Sequence, residues 1–159
     1  MTAHLPDSAR RVAAAAAALG LTIEVREMPQ STRTAADAAA ACGCAVAQIV
    51  KSLIFRGAKS NAPILLLVSG QNRVDERLVG ETIGEALARA DATFVRTATG
   101  FAIGGIPPFG HATPIATYID QHLLAFDVVW AAAGTPSAVF SVAPQALAAV
   151  TGARTIRVT

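Results

Sequence analysis

Apolar and polar residues recur along this chain at two periods, one helical and one of strands. In residues 8 to 19, Val12 and Leu19 lie seven apart on one helical face. Asp7 or Ser8 stands ready as a cap, Gly20 sits at the stop, and Arg10 and Arg11 fall on a solvated face. Leu21-Thr22-Ile23-Glu24-Val25-Arg26 then alternates every second residue, the pattern of a half-buried strand. After the polar loop Gln30-Ser31-Thr32-Arg33, Thr34 with Asp37 three residues on resembles a capping box. The alanine-rich helix it opens runs to Cys42-Gly43.

Ile49-Val50-Lys51-Ser52-Leu53-Ile54-Phe55 is a strand apolar on both faces, with Ile49, Lys51, Leu53 and Phe55 on one side. Ile64-Leu65-Leu66-Leu67-Val68-Ser69 is a second strand, and the turn from Ala58 to Pro63 predicts a hairpin between them. Gly70-Gln71-Asn72-Arg73 ends that strand. Asp75 caps a short helix carrying Leu78 and Val79, Glu85 to Arg89 reads as more helix, and Asp91 caps a helix with Phe94 and Val95 inward that stops at Gly100. Ala112 to Ile119 is a strand interrupted by Pro114. Val128 to Ala132 and Ser137 to Val142 form a second hairpin around Gly134-Thr135-Pro136. Pro144 opens a helix through Val150, Gly152 ends it, and Thr155 to Val158 closes as a strand. Interspersed elements with two hairpins predict an α+β fold, one domain over residues 1–159, with a mixed, curved, barrel-like sheet flanked by helices.

Composition narrows the function classes. Hydrophobic residues make up 53% of the 159 and charged residues 15%, and mean hydropathy is +0.47. Alanine supplies most of that excess, no apolar run reaches the roughly 18 residues of a spanning helix, and Met1 to Asp7 lacks the pattern of a signal peptide. A cytoplasmic protein with no membrane partner is expected. Net charge is only +2, without a clustered basic footprint, so any nucleic acid is held weakly, locally or with help from another protein. Cys42 and Cys44, one residue apart, are a poor disulfide pair, and His4, His111 and His122 are dispersed, so reduced structural cysteines and no metal site or cofactor are expected.

The richest stretch for chemistry is Thr99 to His111, which holds Gly100, Gly104, Gly105 and Gly110 and the pair Pro107-Pro108. Glycines let a ligand approach the main chain, and the two prolines stiffen the loop beyond them. The same residues also suit a plain turn between core elements. Lys51, inside an apolar strand, has three possible fates: reaching out to solvent, pairing with a carboxylate, or pointing into a pocket toward an anion or carbonyl oxygen. No nucleophile elbow, P-loop, zinc-protease motif or dinucleotide fingerprint is present. His111 lies beside the loop without an evident nucleophile to serve. Main-chain N–H groups of Gly104, Gly105 and Ile106, together with Lys51, offer positioning and electrostatics without a covalent nucleophile.

The lysine strand Ile49–Phe55, Gly100-Phe101, Gly104-Gly105-Ile106-Pro107-Pro108-Phe109-Gly110 and Ala143-Pro144-Gln145-Ala146-Leu147 together resemble the YbaK/ProX family. These are relatives of the editing domain of bacterial prolyl-tRNA synthetases, and order and spacing match over nearly the whole chain. The resemblance implies a trans-editing aminoacyl-tRNA deacylase. Such a protein hydrolyses the ester of a small wrong amino acid, such as alanine, cysteine or serine, on tRNA, typically tRNA(Pro), with prolyl-tRNA synthetase or an elongation factor as a possible partner. It implies no metal, and hydrolysis by a positioned water with help from the substrate. Lys51 matches the family's required lysine, and Gly104, Gly105 and Pro108 match the loop at the reaction centre. Lys51, Gly104 and Gly105 are thereby assigned to catalysis, and Ser52, Phe101, Ile106, Pro107, Pro108 and His111 to substrate binding. Pro107 stands where many relatives carry Ser, and the double glycine is nearer the YbaK branch. Ala132 and Val139 replace polar residues of some cysteine-specific relatives, which weighs against cysteine. The alternative is a binding module of the same fold that holds aminoacyl-tRNA or a nucleotide without hydrolysis. An esterase or amidase acting on a small aminoacyl compound is a further rival.

Overall fold

In the computed structural model, residues 5–29, 32 and 34–159 are described. Five helices and eight strands follow one another as α1 (Asp7–Ala18), β1 (Arg26–Glu27), α2 (Ala35–Cys42), β2 (Val50–Gly57), β3 (Pro63–Ser69), α3 (Glu76–Ile83), β4 (Leu87–Arg89), α4 (Ala92–Thr99), β5 (Ala116–Asp120), β6 (Val129–Ala132), β7 (Ala138–Val142), α5 (Pro144–Thr151) and β8 (Arg154–Ile156). Side chains start three helices as expected. Thr34 accepts the Asp37 N–H, Asp75 that of Leu78, and Asp91 that of Phe94. Pro144 opens α5. For α1 the cap position is Pro6, with no side-chain cap, and Asp7 falls in the first turn. Of the expected polar loop before α2, Gln30, Ser31 and Arg33 lie outside the described residues, as do Met1 to His4.

Both hairpins form. β2 pairs antiparallel with β3, and β6 with β7. The larger sheet, in the order β4-β2-β3-β5-β8, is mixed, because β3–β5 and β5–β8 are parallel. A second sheet, β1-β7-β6, meets it at one parallel bridge between Ile49 and Trp130. The α+β class and the mixed, curved sheet are therefore as the sequence indicates, but the strands divide into two sheets and do not close a barrel.

The larger sheet is covered on both faces, which explains the near-continuous apolar run of β3. Leu65 and Leu67, with Val50 and Ile119, join the main core together with Val12 of α1, Leu147 of α5 and Phe140 of β7. Leu66 and Val68 face the other way, onto Val79 of α3 and the C-terminal Ile156 and Val158. Leu65, Leu66, Leu67 and Val68 have no exposed surface.

Four expectations are corrected. Leu21 to Val25 is not a strand; the ladder is only Arg26–Glu27, while Leu21 and Ile23 pack on the core without pairing. Glu85 to Arg89 is not helical. Glu85 Oε1 accepts the N–H groups of Lys59 and Ser60 in the β2–β3 turn, at 2.9 and 2.8 Å. That contact lays the next residues along β2 as β4. β5 starts at Ala116, later than expected, because the Ala112 and Thr113 N–H groups are drawn to the Thr99 and Ala98 carbonyls at the end of α4. The last strand is Arg154–Ile156, and the Val158 carbonyl instead accepts the Asp75 N–H at 2.7 Å.

Candidate active site

A cavity of about 310 Å³ opens at the seam between the two sheets. Its position follows from pairing. Along β2, the Ile49 carbonyl accepts the Gly70 N–H and the Gly57 N–H donates to Ala62. Hydrogen-bonding direction alternates along an antiparallel strand, so the odd-numbered residues face β3 and the even-numbered ones face the other edge. On that edge β4 begins pairing at Phe55 and the bridge to Trp130 lies at Ile49. Ser52 sits in the gap, and Lys51, Ser52 and Leu53 line the cavity there. The opposite walls are Trp130, Ala131 and Ala132 of β6 and Val139 of β7. Thr34, Ala35 and Ala38 around α2 form one side, and Ile103, Gly104 and Ile106 the other.

The cavity is mostly apolar, with few polar groups. The Ser52 hydroxyl is buried and has no hydrogen-bond partner among the described residues. Leaving such a group unpaired costs about 1–3 kcal/mol, a penalty the fold carries beside the cavity. Lys51 Nζ donates to the Asn72 main-chain carbonyl. Burial pulls its pKa below the usual lysine value, the Asp120 carboxylate opposes that, and Arg73 adds to it. Of the three fates open to this lysine, the structure shows it at the cavity with a carbonyl partner of the protein's own.

The two loop glycines are glycine for different reasons. Gly104 has φ +101°, a conformation disfavoured for any side chain, and a Cβ there meets nothing within 4 Å. Gly105 needs no unusual backbone. A Cβ on it falls 2.8 Å from the N, Cα and C atoms of Thr135, and its carbonyl accepts the Gly134 N–H at 2.9 Å. Gly104 therefore faces the cavity, and Gly105 anchors the loop on the β6–β7 turn. The Gly105 N–H donates to Ala102 at 3.2 Å, which leaves the N–H groups of Gly104 and Ile106 as candidate donors to a ligand.

The remaining loop residues assigned from the sequence do not line the cavity. Phe101, 2% exposed, lies under the Arg11 guanidinium at 4.3 Å, and Arg11 also donates to the Gly100 carbonyl. Pro107 and Pro108 are buried. His111 Nε2 lies 2.7 Å from the Pro107 carbonyl oxygen. A carbonyl only accepts, so Nε2 carries the proton. Burial holds this imidazole below the usual histidine pKa, against that hydrogen bond. These residues shape the wall from behind.

Sequence reasoning missed Asn72, Asp120 and Trp130. Asn72 reads as part of a turn, and Asp120 as the polar end of a strand. Its one legible signal is a carboxylate directly after the apolar Tyr118-Ile119. Thr34, which the sequence marks only as a cap, also lines the cavity. Burial raises the Cys42 thiol to about 11, with the neighbouring Cys44 adding and Arg26 opposing; Cys44 is raised by burial too. Both are free and protonated, as structural cysteines are. Among the described residues no three His, Cys, Asp or Glu side chains gather as a metal site, and no helix is long and apolar enough to cross a membrane.

Comparison with known proteins bears on the family and the fold. The family described as "Aminoacyl-tRNA editing domain" matches residues 29–150. A solved structure provisionally assigned as a trans-editing enzyme for prolyl tRNA synthetase superposes with a TM-score of 0.92 at 48% identity, covering 98% of each chain. The hypothetical protein APE2540 superposes at 0.83 with 31% identity, over 90% of this chain and 95% of that one. The uncharacterized protein YwhH of Bacillus subtilis (strain 168) is 31% identical over 103 residues, and the match spans 65% of each chain.

Proposed function

Since the chain belongs to the aminoacyl-tRNA editing domain family, we propose that it is a trans-editing deacylase that hydrolyses the ester between a small, wrongly attached amino acid and tRNA, with tRNA(Pro) the first candidate. One observation carries this reading: Lys51, Ser52 and the Gly104 main chain line a single, mostly apolar cavity. Lys51 holds the 3′-terminal nucleotide. The N–H groups of Gly104 and Ile106 orient the ester carbonyl or the attacking water. Water adds to the carbonyl carbon, the tetrahedral intermediate collapses, and the ribose hydroxyl leaves as the free tRNA end. Fixed donors that meet charge only as it develops are the main contribution such a site makes. No side chain forms a covalent bond in this scheme, and residues 1–159 act as one editing domain.

The amino-acid side chain lies against Ala35, Ala38, Ala131, Ala132 and Val139. Apolar walls separate neighbours by size at about 1–3 kcal/mol per methylene, so alanine and serine are preferred over larger residues. With a net charge of +2, tRNA is held weakly by this chain alone, and prolyl-tRNA synthetase or an elongation factor supplies the rest. A steep salt dependence of tight tRNA binding by the isolated protein would refute that division of labour.

The test is a deacylation time course on tRNA(Pro) charged with alanine, cysteine, serine or proline, with wild type and Lys51→Ala. Hydrolysis of one mischarged species, spared for prolyl-tRNA and lost in the variant, supports editing. If the protein binds but hydrolyses none, it is the non-catalytic module. Hydrolysis of a short aminoacyl ester in preference to aminoacyl-tRNA makes it a small-molecule esterase. Trp130, the chain's single tryptophan, lines the cavity and reports occupancy by its fluorescence.

A further inference from the structure

Behind Lys51 lies a set of polar groups that does not itself line the cavity. Asp120 is only 1% exposed. Its Oδ2 accepts the Ser69 N–H at 3.0 Å and the Asn72 side-chain nitrogen at 2.8 Å, and its Oδ1 accepts the His122 N–H at 2.9 Å. An ionised carboxylate accepts only, so the amide of Asn72 must turn its nitrogen this way. That same nitrogen lies 2.7 Å from His122 Nδ1. The ring nitrogen is therefore the acceptor, and His122 carries its proton on Nε2. Asn72 is thus gripped through both amide hydrogens, while its main-chain carbonyl accepts from Lys51 Nζ.

Three donors compensate the burial of this carboxylate. A buried carboxylate is destabilising unless it is well paired. Here its side-chain partner is the residue whose carbonyl holds the one lysine of the cavity. The Ser69 hydroxyl does not use Asp120 at all and donates instead to Ala47 at 2.7 Å.

We propose that Asp120 and Asn72 are positioning residues for Lys51: the buried carboxylate fixes the asparagine amide, and the asparagine carbonyl fixes the ammonium at the edge of the cavity. The inference rests on Lys51 being the substrate-binding group of the function proposed above. Lys51 then meets the terminal nucleotide from a set position instead of searching many rotamers. The gain is a smaller loss of side-chain freedom on binding. The Asp120 charge also works against the desolvation of Lys51.

The chain contains only two lysines, Lys51 and Lys59, so the ammonium is observable directly by NMR of lysine labelled at Cε and Nζ, with Lys59→Arg assigning the signals. Asn72→Ala keeps the carbonyl and removes the tether. Asp120→Asn keeps the shape and removes the charge; should it fail to fold, Asn72→Ala carries the test. Expected results are a displaced Lys51 signal in both variants and a lower Lys51 titration midpoint in Asp120→Asn, because the opposing carboxylate charge is gone. In Asn72→Ala, KM for alanyl-tRNA(Pro) rises about tenfold with kcat within twofold. In a Lys51→Met background, Asn72→Ala produces no further loss of affinity for adenosine carrying alanine through a 3′ amide. The proposal is overturned if the Lys51 signal and midpoint stay at their wild-type values in both variants. It is equally overturned if Asn72→Ala costs the same factor with and without Lys51, which is the mark of plain structural support. A wild type that hydrolyses no aminoacyl-tRNA, with Lys51 signals that move as expected, sinks the proposed function and leaves the positioning intact.

Discussion

Replacing each of the two adjacent loop glycines by alanine separates two physical causes that look identical in sequence. In Gly105→Ala the new methyl lands 2.8 Å from three main-chain atoms of Thr135. Main chain cannot swing aside as the tip of a side chain can, so the loop must leave the β6–β7 turn. Overpacking of this kind costs about 1–3 kcal/mol. The Gly134 N–H bond to the Gly105 carbonyl, 2.9 Å long, is weakened with it, for about another 1 kcal/mol. The total is about 2–4 kcal/mol, or a fall in Tm of roughly 5–15 °C for a chain of this size. In Gly104→Ala the methyl enters open space, and only the positive φ of +101° is penalised, for about 1–2 kcal/mol. The stability order is therefore wild type, then Gly104→Ala, then Gly105→Ala. Urea and thermal unfolding measure it. On the proposed function, deacylation by the folded fraction adds a second contrast: both variants slow, Gly105→Ala by moving Gly104 and Ile106 away from the cavity, and Gly104→Ala by narrowing it. Equal stability of Gly105→Ala and wild type refutes the packing argument. A Gly104→Ala variant less stable than Gly105→Ala reverses the assignment of causes.

Leu66→Ala removes a side chain with no exposed surface from the face of β3 turned away from the cavity; it should cost about 2–5 kcal/mol in unfolding free energy and, on the proposed function, leave the choice among amino acids attached to tRNA unchanged. His111 is held below its ordinary pKa by burial, so the unfolded chain binds its proton first as pH falls. Stability is full above the ordinary histidine pKa of about 6.5 and declines below it until the folded pKa is passed, and His111→Gln should flatten that part of the stability–pH curve. Cys42, raised from 9.0 to about 11, should react with iodoacetamide at pH 8 on the order of 100-fold more slowly than in the urea-unfolded protein, and equal rates would show the thiol to be unprotected.

The legible parts of the fold are those whose causes are local. Thr34, Asp75 and Asp91 each satisfy an N–H three residues on, so the signal and its partner lie within one turn of helix. The hairpins are readable because an apolar run on each side of a short polar turn leaves few other pairings. β4 is not readable, since three residues are too few to show a period and their direction is set by Glu85 reaching the β2–β3 turn, 25 and 26 residues away in sequence. The candidate site divides in the same way. Lys51 stands out as a charge inside an apolar strand, and the Gly104-Gly105 pair stands out by composition. Asn72 and Asp120 are 48 residues apart, and each alone resembles an ordinary polar residue at a strand end. Trp130 resembles an ordinary core aromatic until the Ile49 bridge brings its strand beside β2.

That bridge also explains why the cavity exists. A single sheet continuing from β2 into β6 would give Ser52 a strand partner on its open edge. Strand pairing would then consume the polar groups that now face the space. The two sheets instead touch at Ile49 and part, and β4 covers the same edge only from Phe55 onward. The gap spans the few residues that carry Lys51 and Ser52. The Gly104–Ile106 loop closes it from one side, pinned through Gly105 to the β6–β7 turn, while the second sheet forms the far wall. Because three separate elements meet there, a shift in one changes the shape of the cavity without altering any residue that lines it. Substitutions at Gly105 or Asn72 are therefore as informative about the site as substitutions at Lys51.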